Sequence, residues 1–200
     1  DRTPEKPPGV RRIAVLGDSM IASLAVEEPQ TMVCQLERLL NQSSPETKWE
    51  VLNFGVNGAS PGQELVLYRE VVSRFQPDHV LGTFFVGNDL ADNCSRLSTN
   101  PRIYFDVDEA GNLQQEPFFA RRALASQFLN RHSRLYVWQR TALNRARQTV
   151  VQQMAALAPG QWVFSKEEPP DVAHAWKTTA SVFQALQHEV KSHGGQFAVV

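Results

Sequence analysis

Cysteine is scarce: the 200 residues hold two, Cys34 and Cys94. Two cysteines cannot build a disulfide framework, and neither sits in a C-x-x-C pair, so a structural zinc site is not expected. One bridge between them and two free thiols both remain open on the sequence. An excess of one charge is missing too: 20 Lys and Arg face 21 Asp and Glu, for a formal net charge of -1. No global field therefore draws the chain to nucleic acid. No apolar run approaches the roughly 18 residues that a membrane span requires, and no secretory signal pattern opens the chain. Nothing matches a phosphate-binding P-loop, and "GVNGASPG" fails the G-x-G-x-x-G spacing. Nucleotide, metal and organic cofactor are all left without a motif.

What remains is ordinary soluble-domain composition, 42% hydrophobic and 20% charged, at a length that can bury a sizeable core. Residues 1–11, "DRTPEKPPGVR", read as a flexible, proline-rich leader. The domain is expected over 12–200. The chain opens without Met and stops at Val200 within an apolar, strand-like pattern. The expectation is a trimmed piece with its C-terminal part beyond Val200, an exported protein whose removed N-terminal signal or anchor once tied it to a membrane.

Hydrophobic spacing supplies the elements. "RIAVL", Arg12 to Leu16, reads as a buried parallel strand. Met32, Val33, Leu36, Leu39 and Leu40 recur at helical spacing. "WEVLNF", from Trp49, is a second strand. Ser60, Pro61 and Gln63 form a capping box with proline in the first turn, and a helix is expected to about Phe75. "HVLGTFFVG", from His79, is a third strand. "NPRIYFDVDEAGNL" can form a small hairpin. Helical patterns follow over about 118–156, with interruptions, and from Asp171 to Ser192. "GGQFAVV" is a fourth strand. Alternating strands and helices imply right-handed crossovers and a parallel sheet.

Three polar clusters fall at strand ends: Gly17-Asp18-Ser19, Asn53 to Ser60, and Gly87-Asn88-Asp89. In an open α/β sheet the carboxyl ends of the strands form the ligand crevice. The residue types suit acyl transfer. Ser19 is a nucleophile at a strand-to-helix turn. The N–H groups of Ser19 and Gly58 and the Asn88 amide are donors for a developing oxyanion. In order, "GDS", "NFGVNGAS" and "VGND" resemble the first three blocks of the SGNH (GDSL-type) hydrolases over about residues 12–93. The resemblance implies a flavodoxin-like three-layer α/β/α sandwich with a central parallel sheet, C-terminally incomplete here. It also implies a serine esterase that hydrolyses an acetyl or acyl ester through an acyl-serine, without a cofactor. Ser19 is the implied nucleophile, and Ser19, Gly58 and Asn88 are the implied oxyanion hole.

The family's fourth block is D-x-x-H, and the chain holds one, "DVAH", Asp171 to His174. It precedes a helix leading to the fourth strand, so His174 is expected at the opposite end of the sheet from Ser19. A base pair beyond Val200 is the reading preferred over Asp171 and His174. An SGNH-like binding or assembly module without its base is the alternative. Asp18, Asp89 and Asn53 are expected to brace the loops. Residues 90–135 are long enough to cover the crevice. Seven arginines and no acid lie within 121–147, read as a solvated helix face, with Tyr136 and Trp138 as packing residues. The expected partner is a small-molecule, lipid or carbohydrate ester.

Overall fold

The computed structural model describes residues 2–98, 102–108, 110–116, 128–129, 131–139, 141–142 and 169–200. Val10–Gly17 forms strand β1 and Lys48–Gly55 forms β2, paired in parallel from Val10 opposite Lys48 to Gly17 opposite Gly55. His79–Gly82, β3, pairs in parallel with the other side of β1. Phe105–Val107 and Leu113–Gln115, β4 and β5, make a separate antiparallel hairpin. Gln196–Val199, β6, closes the series beside β3. The main sheet thus has four parallel strands in the order β2-β1-β3-β6, the α/β arrangement expected from the alternation of elements.

Side chains alternate across β1 because successive residues of a strand face opposite ways. Ile13 and Val15 pack with Val33, Leu36 and Leu40 of helix α2, Met32–Ser43. Ala14 and Leu16 face Leu65 and Tyr68 of α3, Pro61–Glu70, and Val182, Leu186 and Val190 of α5, Pro170–Ser192. The sheet therefore lies between α2 on one side and α3 with α5 on the other. Leu16, Leu65 and Leu186 are fully buried, and each such side chain stabilises the fold by about 1.5–3 kcal/mol.

Several boundaries differ from the sequence reading. β1 begins at Val10, and the leader is tied down. The buried Arg12 guanidinium donates to Glu50 Oε2 at 2.8 Å, to Pro4 O at 2.8 Å and to Glu5 O at 3.1 Å. Arg2 reaches Glu37 at 2.8 Å, and Lys6 reaches Asp78 at 2.9 Å. A fork of fixed donors on a buried residue needs acceptors, and the leader's carbonyls supply them. β3 stops at Gly82 rather than continuing through Gly87. Beyond it Phe84 N–H still meets Val200 O at 2.9 Å, whereas Phe85 N–H turns to the Asp89 carboxylate at 2.7 Å.

The hairpin forms as expected, with Asp108 accepting from Asn112 N–H at 2.8 Å across the turn. It is anchored by fully buried Tyr104 and by Phe105 in the α3–α5 core. This part of the 90–135 segment is therefore built into the domain. Cys34 and Cys94 are free thiols in different layers. The helix expected over 118–156 lies largely outside the described residues, as do five of the seven arginines; Arg131 and Arg134 are exposed. Trp138, expected to pack, is also exposed, and no core cluster of the described residues includes it.

Candidate active site

Ser19 opens a four-residue helix, α1, Ser19–Ala22, directly beyond the tip of β1. The buried Asp18 carboxylate caps this turn by accepting from Met20 N–H at 2.8 Å. That is the bracing role expected of it. Ser19 itself is exposed. As the first helical residue its N–H has no intrahelical acceptor, so it remains available as a donor. Gly17 makes the turn fit: a Cβ there would collide with Thr83 Oγ1 and Ile21. The tips of β2 and β3 close around this turn. Val56 N–H donates to Gly17 O at 2.9 Å, and Thr83 N–H to Leu16 O at 3.1 Å. Asn53 braces from the β2 side by donating to Ile21 O at 2.9 Å.

Gly58 sits at φ +74, a left-handed conformation that glycine adopts without strain. Apart from its two chain neighbours, no atom among the described residues lies within 4 Å of where its side chain would begin. Helix α3 follows, and Gln63 Oε1 accepts from Ser60 N–H at 3.3 Å, one half of the predicted capping box. Asn88 stands at the N-cap position of a short helix, α4, Asp89–Asp92, without a capping bond from its side chain. Its Nδ2 donates to Asp89 Oδ1 at 3.2 Å and to Asp92 Oδ2 at 3.3 Å.

Gly58 and Asn88 stand on loops after strands that do not touch, since β1 runs between β2 and β3. Arg102 joins them. Its Nη1 donates to Gly58 O at 3.3 Å and its Nη2 lies 3.2 Å from Asp92 Oδ1. A second tie is Asn93, fully withdrawn from water. It accepts from Gly62 N–H at 2.8 Å and donates to Thr179 Oγ1 at 3.0 Å. The starts of α3 and α4 and the body of α5 are thereby bolted together.

Beneath the loops lies a group of acids. Glu64 is fully buried, and among the described residues neither of its carboxylate oxygens has a hydrogen-bond partner. Burial pushes its pKa up to about 8, and the charges of Asp89 and Asp18 add to the effect. Asp89 is raised to about 7, chiefly by burial and also by Asp18 and Asp92, against the opposing Phe85 N–H and Arg102. Glu64 was not singled out from the sequence. The available signal was a lone acid four residues before Tyr68, on the helix face that packs inward.

The D-x-x-H pair behaves differently from expectation. His174 lies at the same edge of the sheet as Ser19. Phe84, just past the end of β3, packs its ring 5.7 Å from Trp176, and Leu90 and Cys94 cluster with Val172 and Ala175. A helix that leads into a parallel strand starts at the carboxyl edge and returns to the amino edge, which the sequence reading had reversed. Asp171 faces Arg96 at 3.7 Å, while His174 Nε2 pairs with Asp106 Oδ1 of the hairpin at 2.8 Å. No hydrogen bond joins Ser19 Oγ to a histidine among the described residues.

The surroundings are apolar. Met20 and Leu24 beyond β1, Val56 beyond β2 and Phe85 beyond β3 are all exposed. A groove of about 280 Å³ opens between Val56, Ala59, Ile103 and the face of α3 that carries Gln63, Val66, Leu67 and Glu70.

No protein-family model and no curated protein matches the chain. Among solved structures it is similar to AlinE4, described as an SGNH-hydrolase family esterase, at 15% identity and a TM-score of 0.39 over 96% of this chain and 77% of that one. It is also similar to TesA, at 17% and 0.37 over 89% and 99%. A third is Axe2, an acetylxylan esterase from Geobacillus stearothermophilus, at 16% and 0.40 over 94% and 74%.

Proposed function

We propose that this domain is a serine ester hydrolase. One observation supports it above the others: Gly58 and Asn88, from strands that never touch, are joined through Arg102 and Asp92, and Ser19 follows β1, the strand that runs between those two. In the proposed cycle Ser19 Oγ bonds to the ester carbonyl carbon and gives its proton to a histidine. The carbonyl oxygen becomes an oxyanion, held by the N–H groups of Ser19 and Gly58 and by the Asn88 amide. The C–O bond to the alcohol breaks, and the histidine protonates the leaving alkoxide. Water, activated by the same histidine, then releases the acid from Ser19.

The chain has five histidines. His174 is the one paired with a carboxylate among the described residues, and it is our candidate for the base, oriented by Asp106. The exposed apolar residues beyond the strand ends, with the groove between Val56 and Ile103, favour an ester with an apolar acyl group. Hydrolysis of p-nitrophenyl acetate, butyrate and octanoate by the full-length protein tests the reading. Ser19→Ala should remove about 1000-fold or more of the turnover, and butyrate or octanoate should exceed acetate in kcat/KM. Turnover unaffected by Ser19→Ala would overturn it.

A non-catalytic module is the second reading. It is favoured by the Asn88 amide, whose nitrogen lies within hydrogen-bond distance of two carboxylates. Absence of any Ser19-dependent turnover, with an intact fold, would select it.

A further inference from the structure

We propose that Arg102 is a positioning residue that sets the spacing between Gly58 and Asn88. The catalytic meaning of this role rests on the esterase reading above; the tie itself does not. The sheet cannot set that spacing alone. Each of the two loops leaves its own strand, and the ladder between β2 and β3 is interrupted by β1. Beyond the strand ends, side chains must do it.

Arg102 is suited to the task. Its side chain is 11% exposed and that of its partner Asp92 18%, so the pair is screened much less than a surface ion pair. The guanidinium is planar and carries donors on separate nitrogens. One fork arm reaches Gly58 O at 3.3 Å and the other Asp92 Oδ1 at 3.2 Å. The second oxygen of Asp92 receives Asn88 Nδ2 at 3.3 Å. A continuous polar chain, Gly58–Arg102–Asp92–Asn88, thus spans the site. A lysine, with a single nitrogen, cannot address both acceptors in the same geometry.

The charge matters as much as the reach. Asp92 is a carboxylate one contact away from Asn88. Asp92 accepts from the Asn88 amide with Arg102 in place; left without Arg102, it would set an unbalanced negative charge beside the position where an oxyanion forms. Preorganised donors stabilise such an oxyanion, and a nearby anion opposes them. Arg102 takes up one Asp92 oxygen and balances its charge.

The test uses the full-length protein. Arg102→Ala should lower kcat about 10- to 100-fold, the scale of a small misplacement of catalytic groups, with KM within about 3-fold. Arg102→Lys should recover only part of the loss. Asp92→Asn added to Arg102→Ala should restore about 10-fold, because it removes the unbalanced charge; a merely structural Arg102 would show no such rescue. Two NMR resonances report without turnover. The Ala59 N–H shares a peptide unit with Gly58 O, and the Asn88 side-chain amide contacts Asp92. Both should move in Arg102→Ala at unchanged melting temperature. Unmoved resonances overturn the tie. A loss confined to KM, or no rescue by Asp92→Asn, overturns its catalytic meaning. A wild type without Ser19-dependent turnover removes the esterase reading alone, and the two resonances then decide the tie.

Discussion

His174 Nε2 lies 2.8 Å from Asp106 Oδ1, so the histidine of the D-x-x-H motif takes its carboxylate from the hairpin rather than from Asp171. Three residues of sequence separation bring Asp171 and His174 to one helix face, yet Asp171 turns to Arg96 at 3.7 Å. Asp106 and Asp171 should therefore differ sharply when neutralised.

His174→Ala should lower kcat by about 1000-fold or more, and Asp106→Asn by a large part of that, as for base and orienting acid in a triad. Asp171→Asn should leave turnover within about 2-fold, since its neighbour is a half-exposed arginine. Steady-state kinetics on the three variants check this. Equal losses for Asp106→Asn and Asp171→Asn would contradict the pairing.

Glu64 should make stability depend on pH. Its folded pKa is about 8 against an ordinary 4.5. Between these values the folded state keeps a proton that the unfolded state has released, so unfolding becomes easier as pH rises. The Glu64 contribution is fully present below about pH 4.5 and is gone above about pH 8. Its size is a few kcal/mol by the usual conversion of pKa shifts. Glu64→Gln should flatten the decline and melt above wild type at pH 8. Thermal unfolding from pH 5 to 8.5 checks the sign; a wild-type melting temperature rising over that range would refute the assignment.

Asn93→Ala should weaken the joint between α3, α4 and α5. It leaves the buried Gly62 N–H without Asn93 Oδ1 and Thr179 without its donor. An orphaned buried polar group costs about 1–3 kcal/mol. Urea unfolding at constant slope should show a loss on that scale, and one below about 0.5 kcal/mol would mean that the joint is not rigid.

The parallel sheet was legible because its strands are short apolar runs closed by polar turns, and Ser19, Gly58 and Asn88 stood out because each cluster follows such a run. The same rule overextended β3. Phe84 to Val86 look like strand residues, but Phe85 and Val86 are exposed beyond the sheet. His174 was put at the wrong edge by reversing the direction in which a crossover helix runs. Arg102, Asp106 and Asn93 carried no signal. Their partners are Gly58, His174 and Thr179, all far away in sequence, and a contact of that kind has no period or spacing to betray it. The ties of residues 1–11 were not legible for a related reason: proline and charge suggest a free tail, and only the buried fork of Arg12 explains why the Pro4 and Glu5 carbonyls are held.

β1 is laced to β2 along eight residues and to β3 along four. The strand that carries Ser19 cannot fray from one side, as an edge strand can; releasing it means tearing two ladders at once. Local opening, which costs least at margins and loops, therefore reaches this strand last. The hydroxyl exposed at its tip is mounted on the innermost post of the domain, and heat should dislodge it only when the sheet itself comes apart.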